Sequence, residues 1–134
     1  VNHPEDDIQR AVAQRLDALG VLWCHTPNGG KRGRVEAARL NGLGVKPGVP
    51  DVLIYDPPPN SPSAKGAALE LKAPKGKPSE SQIVWLTKLA ARGWETDIAY
   101  GLDEAHAILD AWGYGNVNAR TRSMRCASGS RGLG

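Results

Sequence analysis

The chain has 134 residues, of which 40% are hydrophobic and 23% charged, a size and balance that suit one domain with a core of its own and leave no room for a second. No apolar run nears the roughly 20 residues of a membrane span, and no charged start leads into an apolar leader, so a cytosolic chain without membrane attachment is expected. The net charge of +3 is unevenly placed: four of the 17 Lys and Arg lie beyond residue 113 with no acid beside them, which leaves 13 against 14 acidic side chains in the body. In chain order, the first element is a helix over residues 5–19. Ile8, Val12, Leu16 and Leu19 recur at helical spacing and Gly20 ends the run. Glu5 and Gln9 fall within the same arc of about 100° as those apolar residues, and a carboxylate or amide buried there needs a partner. A frayed, dipole-favoured Glu5 at the helix start is the plainer alternative.

Residues 21–25 (Val-Leu-Trp-Cys-His) read as a first strand. A long loop over 26–48 follows, holding Asn28-Gly29-Gly30, a basic cluster and room for a short helical turn over 35–40; so long a connection in a small domain is usually functional or mobile. Asp51–Asp56 reads as a second strand. The Pro-rich stretch over 57–62 cannot continue a ladder, and Ala67–Lys72 returns as a third strand. Ser79 is a good N-cap for a helix to about Arg92 with Ile83, Leu86 and Leu89 inward, and Gly93 ends it. Residues 96–100 form a fourth strand, and Asp103 caps a last helix whose inner stripe is Ala105, Ile108, Leu109 and Trp112. The order is α-β-β-β-α-β-α, an α/β domain with a mixed central sheet of about four strands flanked by helices. The short break before the third strand favours an antiparallel pair, and the helical crossover before the fourth a parallel one. The domain is expected over residues 1–114 and a basic, disordered tail over 115–134. Cys24 and Cys126 lack metal-clamp spacing, so neither zinc nor a structural disulfide is indicated.

Chemistry concentrates at Pro50-Asp51 and Glu70-Leu71-Lys72. Side chains alternate along a strand, so Glu70 and Lys72 emerge on one face and Leu69 and Leu71 on the other. Two carboxylates with room for water suit Mg²⁺, a hard cation that keeps several waters and takes one or two carboxylates from protein. Basic segments flank these acids: Lys31, Arg32, Arg34, Arg39 and Lys46 on one side, Lys65, Lys75 and Lys77 on the other. That suits a polyanion held against a metal site, although solvated loops are the bland reading of each segment alone. With no Phe, four Trp and three Tyr, the chain lacks an aromatic array for stacking single strands.

Asp51 after Pro50, followed by Glu70-Leu71-Lys72, resembles the PD-(D/E)xK signature of the restriction-endonuclease-like nucleases. More narrowly, Glu5-x-x-x-Gln9 on the first helix, Gly48-Val49-Pro50-Asp51 before a strand and Pro78-Ser79-Glu80-Ser81-Gln82 opening a helix resemble the VRR-NUC domain, the virus-type replication-repair nucleases. The acid-acid-lysine triplet alone is weak; all four elements in order over residues 5–112 are specific. The resemblance implies a restriction-endonuclease-like core, with Asp51, Glu70 and the Leu71 carbonyl as ligands of Mg²⁺ or Mn²⁺. It further implies Lys72 orienting water or offsetting charge, and Glu5, Gln9 and Gln82 completing the site, Glu5 as a further metal ligand. Lys31, Arg32, Arg34, Lys75 and Lys77 would hold DNA phosphates. Stand-alone relatives, mostly phage-borne, resemble homodimeric resolvases of branched DNA acting in the bacterial cytoplasm, and this chain has no second domain to read a sequence. A flap or duplex repair nuclease and a non-cleaving DNA-binding module on the same fold are the alternatives, with a small-molecule enzyme weaker still. Gln82 also fits a capping box with Ser79. His25 fits a local hydrogen-bonding role better than a catalytic base, Asn28-Gly29-Gly30 fits a tight turn, and His106 a packing or surface position.

Overall fold

The computed structural model describes residues 4–27 and 33–115. Its elements are α1 (Pro4–Leu19), β1 (Trp23–His25), α2 (Arg34–Gly42), β2 (Val52–Ile54), β3 (Ala67–Lys72), α3 (Glu80–Ala91), β4 (Glu95–Tyr100) and α4 (Leu102–Trp112). The expected order is present, and the helical turn allowed in the long connection is the nine-residue α2. The four strands make one sheet in the order β1-β2-β3-β4. β2 is antiparallel to both β1 and β3, whereas β3 and β4, joined through α3, run parallel. A two-sided strand results: all six residues of β3 are buried, because strands flank both edges and α1 and α3 both pack against it. Among the described residues no helix is long and apolar enough to cross a membrane.

The apolar stripe of α1 explains its placement. Ile8, Val12, Leu16 and Leu19 are all buried and join Leu69, Leu71, Leu109 and Trp112 in one core cluster. Burying each such side chain contributes about 1.5–3 kcal/mol, so the helix is held by packing more than by propensity. At the far end of this contact Arg15 gathers α1 and α4: its guanidinium donates to Asp110 Oδ1 at 2.5 Å, to His106 Nδ1 at 2.8 Å and to the Tyr114 carbonyl. His106 is therefore a structural acceptor.

Three expectations need correction. The first two strands are shorter than expected, with Val21, Leu22, Asp51, Tyr55 and Asp56 outside them, although Tyr55 N–H still reaches the Leu22 carbonyl at 2.8 Å. The inner stripe of α3 is reduced to Leu86, with Ile83 45% exposed; α3 lies along the edge strand β4, so this face overhangs the sheet and borders a groove with Thr96 and Ile98. Asp103 does not cap α4. Gly101, at φ 98°, occupies the N-cap, and Glu104 instead accepts from Tyr100 N–H at 3.2 Å.

Gly48 fixes the loop that enters β2. Its φ is +89°, and a Cβ there would stand 2.5 Å from the backbone carbon of Ser81 at the start of α3. Both the left-handed backbone and the close approach demand glycine. Gly48→Ala is expected to lower unfolding free energy by about 2 kcal/mol or more, read by urea titration.

Candidate active site

Sheet register brings the two acids together. Val52 pairs with Leu69 across β2 and β3, and one further step along the same antiparallel register sets Asp51 beside Glu70, on the same face. Asp51 Oδ2 accepts the Leu71 N–H at 2.9 Å, and the Asp51 side chain also meets that of Glu70. Glu70 is 1% exposed and Lys72 9%, with Lys72 Nζ 3.3 Å from Glu70 Oε2. The pair is thus no solvated surface couple. Glu70 Oε1 is buried with no hydrogen-bond partner among the described residues, a state that costs about 1–3 kcal/mol unless something fills it.

The electrostatics follow from that burial. Loss of water, and then the charge of Asp51, raise the Glu70 carboxyl to about 7 against the opposing pull of Lys72. Burial also raises Asp51, while the Leu71 N–H, a side-chain hydrogen bond with Glu70 and then the charges of His25 and Lys72 act the other way. Two carboxyl groups that resist ionising together are a place where a divalent cation substitutes for a proton. The orphaned Glu70 oxygen, the neighbouring Asp51 carboxylate and the all-oxygen donor set fit Mg²⁺ or Mn²⁺.

The remaining site residues stand at different removes. Glu5, in the first turn of α1, is exposed and reaches the end of β3 through a long 3.4 Å bond from Ala73 N–H. Among the described residues no group of three or more His, Cys, Asp or Glu is placed to hold a metal, so Glu5 does not close a three-acid cage around Asp51 and Glu70. Its position at the helix start, clear of the core, is the reason. Gln9, one turn on, has both amide atoms buried and without a partner, as its place on the apolar stripe foretells. Gln82 makes the capping box: its Oε1 accepts from Ser79 N–H at 2.7 Å and Ser79 Oγ accepts from Gln82 N–H at 3.2 Å. The box still bears on the site, since the first turn of α3 is the surface against which Gly48 lays the loop to Asp51.

Arg34, Lys75 and Lys77 are exposed. Lys75 and Lys77 follow β3 directly, past a turn in which Gly76 N–H meets the Ala73 carbonyl at 2.8 Å, so they belong to the sheet end that carries Lys72. Lys31, Arg32 and the Asn28-Gly29-Gly30 turn lie outside the described residues, as do Cys126 and the tail from residue 116. One contact was not legible in the sequence: His25 Nδ1 lies 2.8 Å from the Asp51 carbonyl. Only the β1–β2 register, which sets His25 opposite Val52, would have placed it there.

An antiparallel-then-parallel sheet with an acid pair and a lysine at one end of its central strand defines a restriction-endonuclease-like α/β domain. The family model of the VRR-NUC domain matches residues 3–103, and the chain belongs to that nuclease-type family. A solved VRR-NUC domain protein superposes with a TM-score of 0.65 at 22% identity, over 84% of this chain and 89% of its own. A second, a VRR-NUC domain, gives 0.54 at 18% identity over 81% and 97%. At these identities the likeness establishes the fold. No curated protein matches the chain.

Proposed function

We propose that the chain is a Mg²⁺- or Mn²⁺-dependent DNA endonuclease, with Asp51, Glu70 and the Leu71 carbonyl as ligands. The observation that carries this reading is the buried Glu70 oxygen without a partner beside Asp51. A cation there supplies water activation and polarisation of the scissile phosphate. Lys72, held at Glu70, offsets negative charge that develops on the phosphate. Gln9, whose amide is buried without a partner, completes the site from α1, and Glu5 steadies the end of β3 through Ala73 N–H. Gln82 acts through the first turn of α3, where its capping box supports the Gly48 loop.

Arg34, Lys75 and Lys77, with Lys31 and Arg32 preceding α2, hold backbone phosphates. Affinity for DNA is therefore expected to fall steeply between 50 and 200 mM salt, by about 10³-fold if six phosphates are neutralised; fluorescence anisotropy on a labelled duplex reads it. For the substrate we favour branched DNA cut by a homodimer, whose two-fold axis would offer two sites to the matched strands of a four-way junction. The test is incubation with a labelled junction, a flap and a linear duplex in Mg²⁺, Mn²⁺ or EDTA. Preference for the flap or duplex selects a repair-type nuclease, and no metal-dependent cutting of any of the three sinks the nuclease reading. A monomeric mass by light scattering at micromolar concentration counts against junction resolution.

A further inference from the structure

Asp51 lies just outside β2, after a proline that has no N–H to give the ladder. Its backbone would be loosely held by sheet bonding alone. The end of β1 supplies what is missing. The Asp51 carbonyl accepts two hydrogen bonds, from Thr26 N–H at 3.0 Å and from His25 Nδ1 at 2.8 Å, and Thr26 Oγ1 donates to the Pro50 carbonyl. A carbonyl oxygen only accepts, so His25 must carry its proton on Nδ1, which fixes the tautomer. The Thr26 N–H bond continues the β1–β2 ladder; the His25 bond is extra to it, made by an exposed side chain that gives up rotamer freedom to make it.

We infer that His25 is a positioning residue for the acid pair: through Nδ1 it locks the Pro50–Asp51 backbone so that the Asp51 carboxylate meets Glu70 in the geometry a divalent cation needs. The carboxylate is then held from both sides, its main chain by β1 and its Oδ2 by Leu71 N–H. The Asp51 side chain also meets the Glu70 carboxyl. With so few degrees of freedom left, a small rotation of the Asp51 peptide moves its carboxylate relative to Glu70, and groups that orient a ligand in this way typically govern about 10-fold to 100-fold in metal affinity. The inference rests on the metal-site reading above but concerns a residue that touches neither cation nor substrate.

Two substitutions separate the ring nitrogens, because an asparagine amide nitrogen takes the place of Nδ1 and a glutamine amide nitrogen that of Nε2. Binding of Mn²⁺ alone to the full chain, without DNA, is followed by electron paramagnetic resonance, with thermal unfolding in EDTA alongside. His25→Ala is expected to weaken Mn²⁺ binding by about 10-fold or more, His25→Asn to restore most of the loss, and His25→Gln to leave it unrestored at similar thermal stability. Rescue by Gln in place of Asn would overturn the inference and assign the ring a role through Nε2. Unchanged Mn²⁺ affinity in all three variants would overturn it while leaving the metal site intact. Failure of the unaltered chain to bind Mn²⁺ would remove the metal-site reading itself and this inference with it.

Discussion

Asp51→Asn and Glu70→Gln are each expected to lower metal-dependent DNA cleavage by about 10³-fold or more while leaving DNA affinity in EDTA close to that of the unaltered chain. The size follows from the several kcal/mol that a bound cation contributes to stabilising charge in phosphodiester hydrolysis, where each 1.36 kcal/mol is a factor of about ten. Affinity should stay because the charges proposed to hold phosphates, Arg34, Lys75 and Lys77, are exposed and unaltered; removing a buried negative charge adds no repulsion toward DNA. The two variants should differ in stability. Glu70→Gln replaces a buried carboxyl whose Oε1 has no partner with a neutral amide of the same shape, and at pH 7.5 in EDTA it should unfold at higher urea concentration than the parent. Asp51→Asn keeps an oxygen for the Leu71 N–H and should change stability little. Loss of DNA binding with loss of cleavage in both variants would mean that the acids shape the fold and do not hold a metal.

That the acids belong together was legible because strand alternation and the Pro50-Asp51 and Glu70-Leu71-Lys72 pattern are local, and because the apolar stripe of α1 is strongly periodic. Gln9 was legible for the same reason: an amide on a buried face either finds a partner or serves a site. What sequence left open is what only tertiary contact decides. Glu5 shares the α1 stripe by angle but sits one turn too early to be covered, so helical phase overstated its burial. Ile83 has the right phase on α3, yet β4 is the sheet edge and among the described residues no strand lies beyond it to cover the side chain. The role of His25 depends on register between two three-residue strands, and periodicity carries no information about register at that length. Of the two roles weighed for Gln82, the capping box is present in the structure.

In EDTA the chain is expected to lose stability as pH rises from about 4.5 to about 7, and Mg²⁺ is expected to restore it at the upper end. The carboxyl of Glu70 moves from 4.5 when exposed to about 7 in the fold, raised by burial first and by the charge of Asp51 second. Between those values the folded chain binds the proton more tightly than the unfolded chain does, so unfolding releases a proton and raising the pH favours it. The penalty is absent below about 4.5, accumulates through the window and is complete above about 7, where it reaches at most about 3 kcal/mol at 1.36 kcal/mol per unit. Asp51 is raised as well and adds to the fall in the same direction. Above the window a cation takes the place of the missing proton; at a concentration 100 times its Kd it returns about 2.7 kcal/mol. At pH 5 the proton already occupies Glu70 and the same Mg²⁺ should stabilise the fold far less. Urea titrations at pH 5 and 8, with EDTA or Mg²⁺, test the linkage, and the difference between the parent chain and Glu70→Gln isolates Glu70 from every other titrating group. If the two chains lose stability equally between pH 5 and 8, Glu70 is not the buried acid described, and the case for a cation at Asp51 and Glu70 loses its main support.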